Sequence, residues 1–384
     1  MPGVSGDDFR GRLGVSFVMA TTSLQSVLVT GASGFIGKRL VRRLIERCSR
    51  VACLVRADSF VDSLQFAGVQ LVTGDVTDRD SLKRALTQSQ AGTVFHLAGL
   101  VKALHGQDFT TVNAGGVANI AAACAAQAQP PVLVVVSSLS AAGPNTTDQL
   151  RVESDVPVPV SRYGRSKLAG EQVAAEYARV VPITIVRPPI VFGPGDRGVL
   201  EILRPIARRS LHIVPGWDDR RFSLVHVDDL VEGLLLAAAH GERLDAYESS
   251  HPTPGSPGSP GNSGDSGTSG TSGGGRGIYF IASDEHPTYA QFGQALAIAL
   301  GQKSPTIIHL PGPLLRLIGI GGDLMTRIRH SPQWINSDKI TEALAGSWAC
   351  SAAKARTQLD WSPAASLAER LHETVQWYRH AQWL

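Results

Sequence analysis

Thr30-Gly31-Ala32-Ser33-Gly34-Phe35-Ile36-Gly37 narrows what this chain can fold into more than any other stretch. It follows a β-branched run, residues 27–30, and opens into residues 38–46, whose apolar side chains recur at helical spacing. Strand, three glycines spaced by three, then helix predicts the turn at which a parallel sheet grips a diphosphate. Gly31 allows the tight turn, Gly34 lets backbone N–H groups approach the phosphates, and Gly37 lets the helix sit close on the strand. Ser33, Phe35 and Ile36 complete the loop that lies against such a cofactor.

The same alternation continues downstream. Short apolar runs at 51–55, 70–73, 93–96, 132–136 and 183–186 are separated by helical patterns near 35–46, 79–87, 107–127 and 162–180. Strands that are apolar throughout are buried on both faces, so helices must cover both sides of the sheet. The expected fold is α/β, a doubly wound parallel sheet of the Rossmann type with a smaller C-terminal α/β substrate domain. The boundaries follow: a tail over 1–22, a cofactor domain over 23–192 to which 222–240 returns, and a substrate region over 193–221 and 241–384. Further strands are expected at 223–227 and 278–281. Residues 251–277 are Gly/Ser/Pro-rich, with glycine at every third place from Gly255 to Gly273, but too poor in proline for collagen; they read as a flexible surface insertion.

Lys and Arg exceed Asp and Glu by 36 − 33 = 3, which argues against a nucleic-acid partner. Cys48, Cys53, Cys124 and Cys350 form no C-x-x-C pair and read as reduced core thiols. No apolar stretch suffices for an integral membrane segment, residues 1–22 make no proper signal peptide, and no metal site is apparent. A cytoplasmic protein is expected.

The end of the second strand bears on which dinucleotide is taken. An acid there suits the ribose hydroxyls of NAD, whereas an arginine suits the 2′-phosphate of NADP. The sequence reads Val55-Arg56-Ala57-Asp58, so Arg56 points to NADP, with NAD possible if Asp58 serves the ribose. Asp75-Val76 ends the third strand at the adenine edge, and Leu97-Ala98-Gly99 ends the fourth beside the diphosphate. Tyr163 and Lys167 lie four apart on one helix face, near the serines that close the 132–136 strand. An ammonium beside a phenol favours the phenolate, so Tyr163 can exchange a proton with a carbonyl or carbinol oxygen while hydride moves.

In order along the chain, the glycine triplet, Asp75-Val76, Leu97-Ala98-Gly99, Asn113, Ser137-Ser138, Tyr163-x-x-x-Lys167, Arg187-Pro188-Pro189, Phe192-Gly193-Pro194-Gly195, Val225-His226-Val227-Asp228-Asp229 and Leu359-Asp360-Trp361-Ser362-Pro363 resemble the extended short-chain dehydrogenase/reductases, the NAD-dependent epimerase/dehydratase family. The resemblance spans about residues 23–384 apart from the insertion. It implies a Ser-Tyr-Lys triad in which Ser138 supplies the hydroxyl, with Ser137 or Ser140 as alternatives. It makes Tyr163 the acid/base and Lys167 the binder of the nicotinamide ribose. It also places Asn113 on the cofactor side, Pro188 and Ile190 along the nicotinamide, and a possible homodimer on the helices near 107–127 and 162–180.

The resemblance separates three reactions. Dehydratases of the family carry an Asp-Glu pair directly after the hydroxyl residue, where this chain has Leu139 and Ser140. Epimerases favour an acid at the second strand's end, where this chain has Val55-Arg56. The Val-Arg ending is similar to dihydroflavonol reductases, and Ser137 to Asn145 is similar to 3β-hydroxysteroid dehydrogenases. The expected activity is thus hydride transfer, NADP favoured, to or from a ketone or secondary alcohol on a mid-sized, partly apolar small-molecule substrate. The alternatives are a nucleotide-sugar epimerase with tightly bound NAD and a non-catalytic cofactor sensor. The apolar segment 307–320 reads as a substrate lid, as ordinary packing, or as an interfacial helix with Arg316, Arg327 and Arg329 at a membrane surface. Residues 218–221 read as a solvated turn rather than a phosphate contact.

Overall fold

The computed structural model describes residues 24–66, 68–145, 149–245, 274–331 and 336–384. The tail expected over 1–22 and the Gly/Ser/Pro-rich stretch up to residue 273 lie outside them.

Along the chain, β1 (Ser26–Thr30) is followed by α1 (Phe35–Ile45), β2 (Arg50–Val55), β3 (Val69–Thr73), α2 (Arg79–Ser89), β4 (Thr93–His96), α3 (Gly106–Phe109), α4 (Gly115–Ala125) and β5 (Val132–Val136). Next come α5 (Leu139–Ala142), α6 (Arg162–Glu176), β6 (Ile183–Arg187), β7 (Ile190–Phe192), α7 (Gly198–Arg209), β8 (Leu211–Pro215), β9 (Leu224–His226) and α8 (Val227–His240). The last described elements are β10 (Ile278–Phe280), α9 (Tyr289–Ala299), β11 (Thr306–Leu310), α10 (Gly312–Arg329), α11 (Ser337–Leu344), α12 (Ala353–Leu359) and α13 (Leu367–His380).

Seven strands form one parallel sheet in the order β10-β6-β5-β4-β1-β2-β3. Successive strand residues alternate between its faces. Val27, Val29, Cys53, Phe95 and Val134 pack with Leu40, Val41 and Leu44 of α1 and Leu230, Val231 and Leu234 of α8. Their neighbours Leu28, Ala52, Leu54, Val94 and Leu133 pack with Leu82, Ala85 and Leu86 of α2 and Val117, Ile120 and Ala121 of α4. Truncating one of these, such as Leu40, to alanine costs about 2–5 kcal/mol. A third core joins α7, α9 and α13 around Phe192, Phe222 and Leu224.

The chain order reverses between β1 and β4, so a crevice opens outside the carboxyl ends of those strands, the place where open α/β sheets bind ligands. Three details depart from the sequence expectation. Strand β10 joins the large sheet beside β6, although 241–384 was expected to be substrate region, because Tyr279 and Phe280 complete its core. Cys350, Ala352, Ala355, Leu359 and Trp361 enter that core too. The expected single helix over 107–127 is instead α3, a π-helical turn at Thr110–Ala114, and α4.

Candidate active site

The crevice is built first from backbone. Gly31 has φ +70°, and a Cβ there would lie 2.6 Å from the Ala98 amide nitrogen. At Gly37 a Cβ would lie 2.2 Å from the Gly31 carbonyl oxygen and 2.8 Å from Ala32 Cα. The loop is thus pressed against both the end of β4 and the start of α1. Thr30 ties the two strands' ends, with its carbonyl accepting from Leu97 N–H at 3.2 Å and its hydroxyl accepting from Ala98 N–H at 3.3 Å. Gly34 is the N-cap of α1, with no side-chain cap and no acid in the first turn. The first N–H groups of α1, on Phe35 and Ile36 beside Ser33, are therefore open to an anion, and the helix dipole favours one. A dinucleotide's diphosphate fits this cradle.

The ends of β2 and β3, where the sequence reading expects the adenosine side, carry Arg56, Asp75 and Val76. Arg56, directly after β2, is exposed and pairs with Asp58 at 3.2 Å. Asp75 accepts from the Thr77 amide at 2.8 Å and the Thr77 hydroxyl at 2.7 Å. Partial burial pushes the Asp75 carboxyl up, but these bonds and the nearby Arg56 hold it below its ordinary value. Val76 is buried, and its carbonyl accepts from Asn119 at 3.0 Å.

Across the crevice, the π-helical turn carries Asn113 inward, an irregularity frequent at functional sites. Its amide oxygen accepts from Leu100 N–H at 2.7 Å, and its NH2 donates to the Leu100 carbonyl at 3.0 Å and to Ser166 at 2.9 Å. Asn113 and Lys167 both border Gly99, where a Cβ would meet them at 3.0 and 3.4 Å. Lys167 donates from Nζ to the Val136 carbonyl at 2.7 Å, and burial lowers its pKa to about 8 despite Glu171. His96 is buried and held neutral, its pKa lowered to about 3 by burial and by Lys167.

Tyr163 is buried on the first turn of α6, where the Ser138 side chain lowers its pKa. The approach depends on Gly164, where a Cβ would lie 2.3 Å from the Ser140 carbonyl oxygen. The three serines divide their tasks. Ser137 is bonded to buried Glu171, which is clasped by Arg187 at 2.9 and 2.5 Å, and Ser138 accepts from Ser140 N–H at 3.1 Å. Pro188 accepts from Leu139 N–H at 2.9 Å, and Ile190 is exposed at the start of β7.

A second ammonium, absent from the sequence expectation, stands at Tyr163: Lys339 Nζ lies 5.3 Å from the ring centroid, while Lys167 is bonded to Val136. Burial raises the Tyr163 pKa, Lys339 and the Ser138 side chain pull it down, and Glu342 raises it. Lys339 comes from α11, which also brings Asp338 to accept from the N–H groups of Arg162 at 2.7 Å and Tyr163 at 3.2 Å. Glu342 bonds Lys339 at 2.7 Å and Ser161 at 2.6 Å. Sequence reasoning missed this trio, which lies about 175 residues from Tyr163 and carries no local motif.

A diphosphate cradle at the switch point of a doubly wound sheet, with a buried tyrosine across the crevice, defines the extended short-chain dehydrogenase/reductase class of enzyme. The chain belongs to the NAD dependent epimerase/dehydratase family, whose model matches residues 27–249. It is 30% identical over 368 residues to a ceramide reductase of Caulobacter vibrioides, covering 95% of this chain and 98% of the relative. It is 25% identical over 367 residues to a decarboxylating sterol-4-alpha-carboxylate 3-dehydrogenase of Schizosaccharomyces pombe, covering 92% and 97%. The UDP-glucuronic acid 4-epimerase of Bacillus cereus, solved in complex with NAD, shares the fold at a TM-score of 0.67 and 20% identity, covering 92% of this chain and 99% of that one. The family is NAD-dependent and acts on small molecules.

Proposed function

We propose that the protein is an NADP-preferring oxidoreductase that reduces a ketone, or oxidises the corresponding secondary alcohol, on an apolar, ceramide-like substrate. The pairing of Ser138 with Tyr163 beside the cradle carries the reading. Gly31, Ser33, Gly34, Phe35, Ile36 and Gly37 would hold the diphosphate, Asp75 and Val76 the adenine, and Arg56 the 2′-phosphate. Leu97, Ala98, Gly99, Asn113, Lys167, Pro188 and Ile190 would line the nicotinamide half. Bound NADPH would supply the hydride. Ser138 donates a hydrogen bond to the substrate carbonyl oxygen and orients it. Tyr163, kept protonated by burial, gives that oxygen its proton. Leu139 and Ser140 offer no carboxylate for dehydration. The apolar substrate class is supported by the match to the ceramide reductase over nearly the whole of both chains.

The test is NADPH oxidation with an N-acylated long-chain amino ketone. Tyr163→Phe should lower kcat by roughly 10²–10⁴-fold while leaving NADPH binding intact; turnover within tenfold of the parent would sink the mechanism. A second reading, epimerisation with retained NAD, draws on Asp58 beside Arg56. Stoichiometric NAD on freshly purified protein would favour it. Pairing of two copies through α4 and α6 belongs to the same proposal. So does a cytoplasmic location, in keeping with four free thiols.

A further inference from the structure

Helix α10 is amphipathic in the reverse of the usual sense. Its buried stripe is narrow: Leu315, Gly319 and Thr326 face inward, and Gly319 sits where a Cβ would meet Ile340 and Ser337 of α11 at 3.1 Å. Asp323, the helix's one acidic residue, accepts from Ser337 N–H at 3.3 Å. The outward side is apolar. Leu317, Ile320, Leu324 and Ile328 are 66%, 60%, 57% and 64% exposed, and at 3.6 residues per turn they fall on one line, widened by Leu314, Ile318 and Met325. Arg316 and Arg327 flank that line on one side and Arg329 on the other, all exposed. At the helix's start Trp217, 67% exposed, stacks on His309, close before Pro311.

An exposed apolar face this large marks an interaction site. Its charge says which kind. The helix borders carry three guanidinium groups and the helix's single carboxylate is turned away, while Asp218 beside Trp217 is paired with Arg220, so the complement of the helix face is an apolar medium edged by anions. A bilayer surface rich in anionic headgroups has that chemistry. Among the described residues no helix is long and apolar enough to cross a membrane, so the helix would lie in the interface rather than span it. We propose that α10, with Trp217 at its end, docks the protein on anionic membrane surfaces. The docking is independent of the substrate reading. Through α11 the docked helix stands one layer from Tyr163.

The experiment is flotation of the full chain with vesicles of phosphatidylcholine and phosphatidylglycerol, against phosphatidylcholine alone, at low and high salt. The parent should float with the anionic vesicles and release as salt rises. Leu317→Asp with Leu324→Asp should abolish flotation, and Arg327→Ser with Arg329→Ser should weaken partitioning roughly tenfold to thirtyfold. Unchanged far-UV dichroism and NADPH binding would show that the variants still fold. A parent that stays in the soluble fraction, or an aspartate pair that floats like the parent, overturns the proposal. So does a dimer that the aspartate pair splits in the absence of vesicle binding, since a second copy would then cover the face.

Discussion

Replacing Gly37 by alanine tests whether the glycine loop is a cofactor cradle or merely a turn. The added Cβ would lie 2.2 Å from the Gly31 carbonyl oxygen, far inside the roughly 3.5 Å at which such contacts become favourable, so loop and helix must part by about 1 Å. Both neighbours are backbone and cannot swing aside. Overpacking of this kind costs about 1–3 kcal/mol of stability, which a core of this size withstands. The cofactor suffers more. A shift of that size misaligns the N–H groups at the start of α1, and hydrogen bonds to a charged partner contribute about 1.5–3 kcal/mol each. Losing two weakens binding by about two to four orders of magnitude. Calorimetric titration with NADPH, set beside thermal melting of the free protein, separates the two effects. Gly115→Ala is the control, because a Cβ there meets only Thr110 O at 3.8 Å and alanine suits a helix better. A Gly37→Ala protein that binds NADPH within tenfold of the parent would refute the reasoning. A chain that no longer folds would equally refute the claim that the strain is local.

Arg56→Ser should weaken NADPH binding at least tenfold and leave NADH binding unchanged, read as the ratio of the two dissociation constants, since a guanidinium–phosphate contact is charge-assisted. Lys339→Met removes a cation that pulls the Tyr163 pKa down, so that pKa rises further. Alcohol oxidation needs the phenolate, so the acid limb of its kcat/KM profile should move to higher pH; Glu342→Gln removes a raising influence and should move it lower. Glu171→Ala leaves Arg187 buried and unpaired, which should cost about 3–5 kcal/mol in urea unfolding. Ser137→Ala removes one bond to the same carboxylate and should cost about 1.5–3 kcal/mol.

What the sequence made legible is what short spacing determines. The strand–glycine–helix unit appears in the structure within a residue of its expected bounds, because β-branched residues, the φ +70° turn at Gly31 and the apolar stripe of α1 all act over a few residues. The Tyr163–Lys167 pair was legible for the same reason. What Ser137 bonds was not, since its partner is Glu171, 34 residues further on, whose carboxylate is held by the buried Arg187. Nor was the place of β10: three residues of apolar pattern do not say which sheet edge they will complete. The π-helical turn at Asn113 is likewise set by what the asparagine bonds, Leu100 and Ser166, rather than by local propensity.

Helix α11 shows why the remainder matters for chemistry. Asp338 takes the N–H groups of Arg162 and Tyr163, Lys339 lies over the Tyr163 ring, and Glu342 holds both Lys339 and Ser161, the N-cap of α6. One eight-residue helix thus helps hold the first turn of α6 and, beside burial and Ser138, bears on the proton affinity of the phenol. In the proposed mechanism the local motif would supply the reacting group, whereas a distant segment bears on its position and proton affinity. Two chains with the same Tyr-x-x-x-Lys spacing can therefore differ in reaction and pH dependence through the residues that stand where Asp338, Lys339 and Glu342 stand here. For this fold, specificity is to be sought in the helix that covers the tyrosine as much as in the helix that carries it.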